Sequence, residues 1–141
     1  METNSHFTRW VGRTRTLNTA VDHPGYFLDR CGDAVELIRR VGSPRVLVLF
    51  DIYHVQIVEG NVIERLLSNI DHIGQIHFAD VPGRHEPGTG EINYRNVFRA
   101  IYNLGSQYRG YVTAEYHRTE LTFRDLEDVK RMASFGTDSI G

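Results

Sequence analysis

Three residues far apart in the chain, Asp51, His77 and Glu115, each stand at or near the end of an apolar run, and each can ligate a metal or move a proton. Two carboxylates and one imidazole suit a divalent ion of moderate hardness, Mg²⁺ or Mn²⁺ first and Zn²⁺ next. Each residue also has a plainer explanation. An Asp after a strand is often a turn or helix cap, and a His in a strand is usually a satisfied core residue. Glu115, between Ala114 and Tyr116 in an apolar run, is harder to excuse, because an unpaired buried carboxylate is costly. A single shared site explains all three. His54 follows Asp51 by three residues. Arg84 lies in the polar stretch FADVPGRHEPGTGEINY, from Phe78 to Tyr94, which is either a surface loop or a loop that holds a substrate. The planar fork of Arg84 suits a carboxylate or phosphate. The PGTGE segment lacks the Lys of a P-loop, so it carries no nucleoside triphosphate signature.

The elements that must position these residues can be read from periodicity. Apolar residues from Tyr26 to Val41 recur at helical spacing, and Gly42, Ser43 and Pro44 stop that helix. Val46 to Phe50 is an uninterrupted apolar run, the pattern of a strand buried on both faces of a parallel sheet. A short helix is expected over Val62 to Ile70. A second strand is expected over Ile73 to Asp80, with Gln75 and His77 on one face because strand side chains alternate. Helices over Tyr94 to Leu104 and Phe123 to Met132 flank a third strand over Arg109 to His117. Strand and helix alternate with no hairpin signal, which predicts βαβ units and a parallel sheet. Ligands of such folds sit at the C-terminal strand ends.

Composition bounds the function. The chain has 141 residues, 40 % hydrophobic and 24 % charged, the balance of one globular domain and not of a disordered chain. A formal net charge of −2 gives no basic surplus for nucleic acid. No apolar run approaches the roughly 20 residues that span a bilayer, and the first residues form no apolar signal core. A single cysteine, Cys31, read as a small helix residue, fits a reducing, cytoplasmic compartment.

The segments DHPGYFL, FDIYHVQIVEGN, IGQIHFADVPGRHEPGTGEINY and GYVTAEY resemble the hydroxypyruvate isomerase family, part of the xylose isomerase-like (β/α)₈ barrels. The resemblance runs from about Leu17 to the last helix, and the long ADVPGRHEPGTGEINY stretch is its most specific part. It implies an α/β fold that is part of a TIM barrel: strands six to eight with their helices and, at most, a remnant of strand five. Residues 1–16 would be a leader, poorly ordered or a remnant strand, and residues 17–141 the C-terminal part of the barrel. It further implies that Asp51, His77 and Glu115 are metal ligands, that Glu115 also shuttles a proton, and that His54 and Arg84 hold substrate. The implied reaction is the isomerisation of hydroxypyruvate, tartronate semialdehyde or a related keto-sugar through an enediolate. The partner would be a small hydroxy-keto acid or sugar, with neither nucleic acid nor membrane involved.

Two departures stand out. Gln75 and His77 occupy positions where many hydroxypyruvate isomerases carry His and then Gln, and His77 matches related keto-sugar epimerases instead. The family's other catalytic Glu should fall just before LNTAVDHPGYFL, where this chain has RTRTLN and Arg15. A complete barrel needs about 250 residues, so the expectation is a fragment, a truncated product or a degenerate relative that binds without turnover. Half a barrel would leave two sheet edges and an apolar helix-facing surface, with Val46, Val48, Phe50, Ile76 and Phe78, in need of cover. A homo-oligomer, or pairing with an N-terminal half-barrel, is therefore expected.

Overall fold

The computed structural model describes residues 12–119 and 124–134. The first eleven residues of the expected leader, and Phe123 at the start of the last expected helix, lie outside that range. The elements run β1 (Gly12–Arg15), α1 (Cys31–Val41), β2 (Val46–Asp51), α2 (Ile52–Val58), α3 (Val62–Ser68), β3 (Ile73–Phe78), α4 (Tyr94–Asn103), β4 (Tyr111–Ala114) and α5 (Arg124–Ala133), with 3₁₀ turns at Ile70–His72 and Gly105–Gln107. The four strands form one sheet in the order β1-β2-β3-β4, every neighbouring pair parallel. A strand thus stands where a remnant is expected, and Gly12 to Arg15 of the expected leader share one sheet with the three later strands.

Alternation sorts the side chains of the sheet. On one face Val48, Phe50, Ile76 and Phe78 are buried against Ala34, Val35 and Ile38 of α1, Val55 of α2, Leu66 of α3 and Val97 and Phe98 of α4. The apolar surface expected to lie bare on this side is therefore covered by the chain's own helices, and only Val46 is half-exposed. The amphipathic periods of α1 and α4 supply that cover. The opposite face carries Arg13, Arg15, Leu47, Leu49, Gln75, His77 and Thr113, all half-buried or exposed, and Tyr111, 75 % exposed.

Between β2 and β3 the register slips. Val48 pairs with Ile73, but Leu49 pairs with Gln75, so Gly74 is an extra residue on β3. Leu47 packs where a Cβ on Gly74 would stand, which is why the bulge takes glycine. The slip lets Ile73 and Ile76, three apart, face the same helix layer, and it sets Asp51 opposite His77.

Two expectations change. The helix expected from Tyr26 begins at Cys31: Gly25 has a positive φ of 84° and Arg30 is extended, so Tyr26 to Arg30 form a loop whose Leu28 is buried while Phe27 is 80 % exposed. That helix ends at Gly42, whose left-handed backbone sends its N–H to the Ile38 carbonyl. Sequence periodicity also misses α2, a single seven-residue segment started by Asp51, whose Oδ1 accepts the Tyr53 N–H at 3.1 Å.

Candidate functional site

Asp51 ends β2, His77 is the last residue but one of β3, and Glu115 directly succeeds β4. The parallel ladder brings the three to one end of the sheet, and one ligand atom from each lies within 4.8 Å of the others. Asp51 is 1 % exposed, whereas His77 and Glu115 are half-buried. His77 Nε2 shares a 2.8 Å hydrogen bond with the Gln75 amide, which also bonds Thr113. Its Nδ1 faces the cluster, 3.3 Å from Glu115 Oε2 but off the line a hydrogen bond needs, and so has no partner.

His54 and Arg84 reach the same cluster. His54, on α2, is fully buried and accepts the backbone N–H of Asn18 on Nδ1 at 3.0 Å. Its proton is thereby placed on Nε2, which lies 3.7 Å from Asp51 Oδ2. Burial lowers the imidazole to about 4, against the pull of Asp51 and with the charges of Arg84 and Arg15 assisting, so it is neutral near pH 7. Arg84 donates through Nη2 to Glu115 Oε2 at 2.5 Å, and its guanidinium carbon lies 5.0 Å from the centre of the Tyr53 ring. Burial, and then the Asp22 carboxylate bonded to the phenol, push Tyr53 up to about 12.

The loop that carries Arg84 is built around Asp80, a fully buried carboxylate. Its oxygens accept the N–H groups of Val81, Gly88, Gly90 and Ile92 at 2.8 to 3.1 Å. The backbone passes so close at Gly90 that a Cβ there would overlap the Val81 carbonyl. Gly83 and Arg84 both adopt positive φ, 88° and 59°, which turns the Arg84 side chain back over the strand ends. Glu86, also buried, ties the loop to the segment after β4 by accepting the Thr119 N–H at 2.8 Å. The stretch from Phe78 to Tyr94 is thus an internally bonded loop that delivers an arginine to the carboxylates.

Arg15 is the remaining member. It ends β1, opposite Leu49 of β2, and its Nη2 donates to both Asp51 Oδ2 and Glu115 Oε2. Nη1 adds a 3.2 Å bond to Glu115 Oε1. Burial opposes its charge, but the bond to Glu115 and the two carboxylate charges outweigh that and raise its pKa. In return Glu115 falls to about 2: burial pushes it up, and the bond and charge of Arg15, with His77 and Arg84 adding, pull it further down. Sequence reasoning places Arg15 near the site only through the resemblance. It misses Asn18 and Asp80, whose partners are mostly backbone N–H groups and leave no side-chain pattern; the only cue is an Asp at a strand end with three glycines after it.

By type and spacing, Asp51, His77 and Glu115 suit a divalent ion, and the unpartnered His77 Nδ1 points where a ligand is needed. By charge they do not, because Arg15 already bridges the two carboxylates. Beside the cluster a depression of about 320 Å³, lined by Arg84, Ala114, Glu115, Tyr116 and His117, gives access from solvent.

The sequence profile of the xylose isomerase-like TIM barrel family matches residues 14–135. A 2-oxo-tetronate isomerase of Cupriavidus necator is 46 % identical over 100 residues, 71 % of this chain and 37 % of that protein. The hydroxypyruvate isomerase of Escherichia coli is 43 % identical over 95 residues, 67 % of this chain and 36 % of that protein. Among solved structures, a family 2 AP endonuclease from Brucella melitensis superposes with a TM-score of 0.79 at 35 % identity, over 86 % of this chain and 46 % of that one. The chain spans less than half the length of these relatives.

Proposed function

This chain belongs to the xylose isomerase-like TIM barrel family, and from that premise we propose that it is part of an isomerase of small α-hydroxy carbonyl acids, of the hydroxypyruvate or keto-sugar-acid class. The observation that carries the reading is the meeting of Asp51, His77, Glu115 and Arg84 at adjacent strand ends. Four parallel strands are half of an eight-stranded barrel, and their half-exposed face, with Leu49, Gln75 and His77, is what a complete barrel encloses. Closure needs a second set of strands, from an N-terminal half-barrel or from another copy of the chain.

In that setting Glu115 removes the carbon-bound proton next to the carbonyl and returns it to the neighbouring carbon. For hydroxypyruvate this moves a proton from C3 to C2 while the hydroxyl proton passes from the C3 oxygen to the C2 oxygen, and the product is tartronate semialdehyde. The Arg84 fork holds the substrate carboxylate, and the His54 Nε2–H donates to a substrate oxygen. No step is assigned to a metal, because Arg15 already bridges the two carboxylates of the triad. A nucleic-acid substrate is disfavoured by the net charge of −2, which offers little to neutralise phosphates.

A second reading, a binder without turnover, draws on one observation: Arg15 and Arg84 both engage Glu115 and hold it near a pKa of 2, where it is a weak base. Proton exchange separates the two. The chain is incubated with hydroxypyruvate in D₂O, alone and co-expressed with the N-terminal half of the Escherichia coli relative, and deuterium at C3 is monitored by NMR. Exchange in the assembled protein, lost in Glu115→Gln, is the expected result. An assembled protein with no exchange supports the binder, and exchange that survives Glu115→Gln removes the role given to that residue.

A further inference from the structure

We propose that Arg15 is the resident cation of this site: its guanidinium fills the space between Asp51 and Glu115 that a divalent ion needs, so the chain as it stands does not bind such an ion there. The inference rests on reading Asp51, His77 and Glu115 as a ligand set; it does not depend on turnover.

Geometry is the first support. Arg15 Nη2 bonds the Asp51 and Glu115 oxygens together, and the same nitrogen is 3.4 Å from His54 Nε2. A single nitrogen therefore bonds two of the three groups of that ligand set. Its approach is set by the backbone: Arg15 is held in the parallel ladder opposite Leu49, two residues before Asp51 on the same face. The side chain is half-buried, 27 % exposed.

Charge is the second. Each of the Asp51 and Glu115 carboxylates is already paired with both the Arg15 and the Arg84 guanidinium groups. A divalent ion added beside these two guanidinium groups meets like charge next to a carboxylate that is 1 % exposed, which a low-dielectric site penalises. Titration gives no relief, because an arginine does not lose its proton in a protein. Admission of a metal requires Arg15 to leave, and leaving strips two carboxylates of their bridge.

The test is a Mn²⁺ titration of the 141-residue chain, read by loss of the free-ion EPR signal, with melting curves recorded at each Mn²⁺ concentration. Wild type, Arg15→Glu, Arg15→Gln and the double variant Arg15→Glu with Glu115→Gln are compared. The expected result is no stoichiometric uptake by wild type and one Mn²⁺ per chain in Arg15→Glu, bound roughly 100-fold tighter or more, the scale of removing one close like-charge repulsion and adding an attraction. Arg15→Gln should lie between them, and the double variant should lose the site. If Arg15→Glu folds only with Mn²⁺, a Mn²⁺-dependent rise in melting temperature reports the same affinity. If it folds under no condition, Arg15→Gln against wild type decides. Uptake by wild type as tight as that of the Arg15 variants overturns the proposal, as does uptake by none of them. Absence of isomerase turnover bears on neither outcome.

Discussion

Asp80 shows how much of a functional loop can rest on one side chain. It is buried and accepts four backbone N–H groups, so its removal leaves several donors unsatisfied at once. Asp80→Ala should cost about 3 kcal/mol, and Asp80→Asn less, because the amide keeps one accepting oxygen. Urea unfolding of the full chain, monitored by far-UV circular dichroism, measures both. The convergence of Asp51, His77 and Glu115 is legible in the sequence because each sits where an apolar strand pattern stops, and parallel strands bring such ends together. The contribution of Asp80 is not legible, since its partners are peptide groups that any sequence supplies. Arg15 is half-legible: its position comes from the resemblance, whereas its grip on both carboxylates emerges only once β1 is laid beside β2.

At the scale of elements, long periodic segments are legible and short ones are not. The three apolar runs become β2, β3 and β4, although β4 is only four residues long, and α4 closely matches its expected span. The seven residues of α2 give too few repeats for a helical period to show, so only the capping Asp51 could announce it. The start of α1 differs from its expected place because Phe27 and Leu28 extend the apolar spacing into a loop. The observed start places Cys31 first in the helix, 1 % exposed, with its N–H bonded to Glu59 at 2.7 Å. Burial, then the Glu59 charge, raise its thiol to about 11, against the opposing Arg65. A thiol whose folded pKa lies above its unfolded value contributes stability that is present below pH ~9 and lost as pH climbs toward ~11. Iodoacetamide at pH ~8 should therefore label the native chain far more slowly than the urea-unfolded chain. Equal labelling rates, read by mass spectrometry, would contradict the buried placement.

For the whole molecule, the unequal cover of the two sheet faces matters most. The helix layer closes one face, while the other ends in partly exposed side chains and in β1 and β4, the two outer strands among the described residues. Tyr111 and Val112 of β4 are 75 % and 38 % exposed. Edge strands with exposed apolar side chains favour pairing with another chain. Light scattering at increasing concentration should accordingly show a dimer or larger species, and Val112→Lys should shift it toward the monomer; a monodisperse monomer throughout would count against pairing. No helix among the described residues is long and apolar enough to cross a membrane. The extra residue at Gly74 bears on the chain in another way, through parity. If the pairing of Val48 with Ile73 ran on unbroken, Ile76 would stand beside Asp51 and the imidazole would turn to the helix side. The bulge absorbs the odd residue, so losing Gly74 leaves Gln75, Ile76 and His77 opposite the partners they already have. One codon gained between Gln75 and His77 has the reverse effect: the sheet keeps its shape, and the imidazole leaves the carboxylates. A change of length within this one strand is therefore expected to act by its position: loss of Gly74 keeps His77 opposite Asp51, and a residue gained after Gln75 turns it away.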